Sequence, residues 1–115
     1  MEILEKMKDA SLYMEDYRNC KKDNRKIQYC ILFKDACIAI LDYIRYNESI
    51  IHDLDFEIKF EAYLYDLVCI VYKWYKADGI FRGVKERIQI NKLNLQMEKV
   101  FEVYNEALLR ISKDV

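Results

Sequence analysis

Apolar residues recur along this chain at alternating steps of three and four, the spacing that puts them on one side of an α-helix. From Glu2 to Arg18, the residues Ile3, Met7, Ala10, Met14 and Tyr17 form one stripe, with Glu5, Lys8, Glu15 and Asp16 opposite. This predicts a one-sided surface helix over about 2–18, with Leu12 as an apolar exception on its polar side. The polar segment NCKKDN follows, and Asp23 or Asn24 suits the N-cap of a second helix over about 24–46. Cys30, Phe33, Cys37, Ile40 and Ile44 make the stripe of that helix. Ile27, Ile31 and Ile38 widen it on one flank, and Leu32, Ala36, Ala39 and Tyr43 on the other.

NESIIHDLD reads as a loop, with Asp53 or Asp55 capping a third helix over about 55–78. Glu57 suits the positive end of that helix's dipole. Its core stripe is Phe56, Phe60, Tyr63, Leu67, Ile70 and Trp74, and Gly79 suits the left-handed position that closes it. A fourth helix over about 84–113 carries Ile90, Leu93, Met97, Val100, Tyr104, Ala107 and Ile111 in phase. Its segment IQINKLNL also alternates like a strand, but the chain offers no partner strand, so a helix with an irregularity before Ile90 is expected.

The expected fold is all-α: one domain over 1–115, a single antiparallel bundle of about four helices, with dimerisation as one way of completing it. Composition agrees. The chain has no proline and two glycines, too few turn residues for a sheet protein. It is 53% apolar and 34% charged, a globular balance, and its net charge of −1 directs it to neither nucleic acid nor membrane. The longest apolar run, Leu67 to Tyr72, is too short to span a bilayer. The charged start MEILEKMKDA does not read as a secretory leader, so a cytoplasmic location is expected. The four cysteines, Cys20, Cys30, Cys37 and Cys69, lack CxxC spacing and are expected as free, buried thiols.

One feature exceeds what a plain bundle requires. The third helix has a second apolar stripe, Ile58, Ala62, Tyr65, Cys69 and Tyr72, nearly opposite the first. Either the other helices enclose it on both sides, or this stripe meets another chain. Tyrosine favours the second alternative, because its apolar ring and polar tip suit a half-wet interface. These five residues are therefore the candidate partner-binding set, and a homodimer through the second and third helices is the economical version.

Charge offers a second candidate surface. Arg18, Lys21, Lys22, Arg25 and Lys26 surround the first interhelical turn, and Lys73, Lys76, Arg82, Lys85 and Arg87 flank the third. In an up-down bundle these turns share one end, so the groups are expected to merge into a basic patch suited to an RNA backbone or an acidic protein. Solvated loop charge is the simpler alternative.

Catalytic chemistry is sparse. His52 is the sole histidine, and with Asp53, Asp55 and Glu57 it matches no zinc, EF-hand or di-iron spacing, so no metal or cofactor is expected. No cysteine has a second histidine to activate it. Arg45 and His52 stand at an Arg-x6-His spacing that resembles the Arg-x4-6-His element of HEPN domains, small helical bundles that are often nucleases. The resemblance covers these two residues, and Tyr46 stands where the family usually has a polar residue. It implies RNA cleavage at a dimer interface by Arg45 and His52. The main expectation is instead a small non-enzymatic regulatory bundle of adaptor, inhibitor or immunity type, binding a protein partner or itself. An RNA-associated protein, HEPN-like or an inactive relative, is the alternative.

Overall fold

A computed structural model describes the backbone of residues 2–50, 52–76 and 82–114, and their side chains apart from 76, 82–86 and 114. Four helices follow in order: α1 (Glu2–Asn19), α2 (Asp23–Tyr46), α3 (Leu54–Lys76) and α4 (Arg82–Asp114). The fold is the expected all-α four-helix bundle, and no strand occurs among the described residues. α4 is one unbroken helix of 33 residues, with no irregularity before Ile90. At 1.5 Å per residue it is about 50 Å long and accounts for the 53 Å long axis of the molecule.

Two helix starts show how capping works here. The expected caps Asp23 and Asn24 do not cap α2. Lys22 takes that place in an extended conformation without a side-chain bond, and its carbonyl accepts from the N–H groups of Arg25 and Lys26, both at 3.0 Å. Asp23 lies in the first turn instead, where its charge faces the helix dipole. At α3 the expectation holds. The Asp53 carboxylate accepts from the Phe56 N–H at 3.1 Å, and the Glu57 N–H donates to the Asp53 carbonyl at 3.0 Å. The Gly79 cap lies outside the described residues.

The helices run up-down-up-down. α1 packs on α2 and α3 on α4, while α2 also touches both α3 and α4. Phe33 of α2 is fully buried, with Tyr104 of α4 edge-on at 5.8 Å and Phe101 tilted at 6.4 Å. Around them close Met14, Ile27, Ile40, Ile44, Leu67, Leu93, Met97, Val100 and Ile111, each fully buried. Burying one such side chain stabilises the fold by about 1.5–3 kcal/mol. Polar groups join α1 to α4. The Tyr17 hydroxyl donates to Asn94 Oδ1 at 2.5 Å, and Arg18 grips Glu98 through two nitrogens at 2.8 and 3.1 Å.

These contacts also fix the stagger. Tyr17, near the end of α1, lies level with Asn94, whereas α4 begins twelve residues earlier at Arg82. The α3–α4 pair therefore extends beyond the α1–α2 turn. Trp74 is buried within that extension. No described helix is long and apolar enough to cross a membrane.

Candidate protein-interaction surface

α3 turns Phe56, Phe60, Leu64, Leu67 and Trp74 into the core. The opposite side is left exposed by α1, α2 and α4. Ile58 is 55% exposed and Tyr65 67%, and Ala62 and Tyr72 are exposed as well. Cys69 is half-buried, which corrects the expectation of a buried thiol, and its neighbouring sulfur raises the proton affinity of the Tyr65 hydroxyl. Of the two alternatives for the second stripe, enclosure by this chain's own helices is absent.

The exposed side is broader than the five residues read from the sequence. Leu54, at 70% exposure, Val68 and Tyr75 also stand open. With Ile58, Tyr65 and Tyr72 they form a ridge at 54, 58, 61, 65, 68, 72 and 75, steps of four and three without a break. That is a 3.5-residue period, the spacing of a helix that meets another helix along its length. A test for seven-residue repeats would have found it, since only Glu61 interrupts the apolar run.

Glu61 belongs to an ionic cluster between α2 and α3. It pairs with the Arg45 guanidinium, whose Nε lies 3.5 Å from Glu57 Oε1. The Glu57 carboxylate is 7% exposed, and its other oxygen lies 3.5 Å from His52 Nδ1. The two residues of the Arg-x6-His spacing thus stand on either side of one buried carboxylate. Its depth in the fold was not legible from its place in the first turn of α3. Ile31 and Ile38 lie at seven-residue steps from Arg45, on the α2 edge that meets α3. Ile38 is exposed and Ile31 half-buried, so apolar surface continues from the ridge onto α2.

At the same end, Arg110 of α4 donates to the Asp53 carboxylate at 3.0 Å and stacks over the Phe56 ring at 4.3 Å. The Phe56 N–H and then Arg110 hold the Asp53 carboxyl below its ordinary range.

At the opposite end, the basic residues separate by role. Arg18 pairs with Glu98 and stacks over Phe101 at 4.6 Å. Lys26 donates to the Tyr17 carbonyl at 3.0 Å and lies over the Tyr17 ring. Both serve packing. Lys21, Lys22 and Arg25 are exposed and line an open groove of about 360 Å³ together with Asp16, Asn19, Cys20 and Tyr29. The side chains of Lys76, Arg82 and Lys85 lie outside those described.

Cys20 is also half-buried, its thiol donating to the Lys22 carbonyl at 3.3 Å. Cys30 and Cys37 are buried as expected. Burial pushes the Cys30 thiol up to about 12 and the Cys37 thiol well above its ordinary value, which keeps both protonated and inert. No cluster of three or more metal-binding side chains occurs among the described residues. No family model, curated protein or solved structure matches the chain.

Proposed function

We propose that this chain is a non-enzymatic interaction protein of regulatory type, an adaptor, inhibitor or immunity-like bundle, acting in the cytoplasm. It binds a protein partner through the outward face of α3. The observation that carries this reading is the ridge from Leu54 to Tyr75. It exposes six large apolar residues in one line, on a helix whose other side already fills the core. Scattered exposed apolar residues need no explanation, but a continuous line on one helix suits a helical or grooved partner. Covering Ile58 or Tyr65 fully would contribute roughly 1.5–3 kcal/mol each.

The test is capture from the native host with the full chain as bait, beside Ile58→Glu and Tyr65→Glu variants of unchanged circular dichroism and melting. A partner retained by the parent and lost from both variants supports the reading. Equal capture by all three overturns it.

RNA association through the basic end is the second reading. It is favoured by Lys21, Lys22 and Arg25, which are exposed, adjacent and outside every ion pair of the described residues. Salt-dependent RNA binding lost on reversing these three charges would favour it over the first. Arg45 and His52 do not strengthen it, because both face the Glu57 carboxylate.

A further inference from the structure

We infer that the groove at the α1–α2 turn holds a phosphodiester strand with unpaired bases, its phosphates on Lys21, Lys22 and Arg25 and one base against Tyr29. This rests on the second reading above, RNA association through the basic end. It names the form of the ligand and the residue that takes each part of it.

The groove brings together three cations and an aromatic ring. Lys22, Arg25 and Tyr29 follow one another at steps of three and four, so α2 sets them on one side, and Lys21 joins them from the turn. The three cations are exposed and outside every ion pair of the described residues, unlike Arg18, which holds Glu98. Tyr29 is half-buried and forms part of the wall. Single-strand sites combine these same two elements. Cations track the backbone, and a ring stacks on a base whatever its identity.

The α1 wall separates one anion from another. Asp16 and Asn19 stand there, both exposed. An acidic protein segment satisfies the cations, but Asp16 repels its carboxylates and Tyr29 is left without a role. A base carries N–H donors on its edge, which suit Asp16 as acceptor and Asn19 as acceptor or donor. Size and shape favour a single strand over a duplex. The groove, at about 360 Å³, lies near the low end of the roughly 300–1,000 Å³ of small-ligand sites, room for one base and its sugar. In a duplex each base is already stacked on its neighbours, so no free face reaches Tyr29. The net charge of −1 does not oppose binding. Screening over about 8 Å at physiological salt leaves a strand here responding to the nearby cations rather than to the whole chain.

The test is fluorescence anisotropy of labelled octauridylate and octathymidylate titrated with the full chain. Binding by either supports the inference, and the tighter of the two names the sugar. At roughly 50 mM salt the expected Kd is on the order of 1–100 μM. Three phosphate contacts on a single strand predict a slope of log K against log salt of about −2. Lys22→Gln should make that slope shallower by about 0.7. Tyr29→Leu keeps the apolar bulk and removes the π face. It should leave the melting temperature and the salt slope unchanged and weaken binding about tenfold. Tyr29→Phe should bind as the parent does. Equal binding of a polyglutamate peptide of the same charge overturns the inference and points to an acidic protein instead. Equal binding of a duplex, or parental affinity in Tyr29→Leu, overturns it while RNA association through the basic end stands. No binding of any nucleic acid at low salt overturns both.

Discussion

Tyr104 of α4 donates its hydroxyl to the carbonyl oxygen of Met7 on α1, at 2.5 Å across the bundle. Ser11 Oγ lies 2.6 Å from the same hydroxyl, so one phenol ties two groups of α1 in a region where its ring is fully buried. Burial raises the proton affinity of this phenol, which keeps it a donor. Tyr104→Phe retains the ring and its packing on Phe33 but leaves the Met7 carbonyl without this donor. The expected loss is about 1–2 kcal/mol, read from urea unfolding at an unchanged m-value. An unchanged midpoint would mean that water replaces the phenol at no cost.

The four thiols fall into two classes. Cys20 and Cys69 are half-buried, while Cys30 and Cys37 are enclosed with raised proton affinity. A thiol-reactive dye should label two sites quickly on the native chain at pH 8, and the other two only on unfolding. Peptide mapping identifies them. Fast labelling of Cys37 would show that the core opens more readily than its packing implies.

Alkaline pH should unfold the protein earlier than a bundle without buried acids. Cys30, Cys37, Tyr17 and Tyr104 all bind their protons more tightly folded than free. For the raised Cys30 thiol the stability is fully present below its ordinary value of 9.0 and is lost as pH climbs towards about 12. Melting temperature measured from pH 7 to 11 should be level at first and then fall. Cys30→Ala should make the fall shallower. A decline that begins well below pH 9 would point to other groups.

Removing one partner of the Arg45–Glu57 pair should cost more than removing an exposed ion pair, because the carboxylate stays behind in the core. For a fully buried pair the cost is about 3–5 kcal/mol. Arg45 is partly exposed and His52 remains beside the carboxylate, so Arg45→Ala should fall below that range, at about 2 kcal/mol. His52→Ala should cost less than about 1 kcal/mol, and RNA incubated with either the parent or this variant should stay uncleaved. RNA hydrolysis abolished by His52→Ala would assign these residues to catalysis instead.

The helices were legible because their apolar spacing is regular, and each end fell within about two residues of its observed place. Trp74 lies in the core because it is in phase with Phe56, Phe60 and Leu67. The cap of α2 was not legible, since Asp23 and Asn24 both have suitable chemistry and the chain turns one residue earlier. The outward stripe of α3 was legible as a stripe, but whether it was covered depended on where α1 and α2 packed. The role of Glu57 was hidden for a similar reason. Its partner Arg45 sits on another helix, across a loop, and no local rule connects them.

The stagger of the helices has a mechanical consequence. Because α4 starts twelve residues beyond the level of Tyr17, one end of the molecule is a cantilever of two helices without the support of α1. With α1 absent from their side, the described parts of these two helices should open at a lower free-energy cost than the end that α1 and α2 enclose. The sole tryptophan lies inside this cantilever. Its fluorescence therefore follows the tip of the lever rather than the whole fold, and it will signal loosening there while the anchored end remains shut.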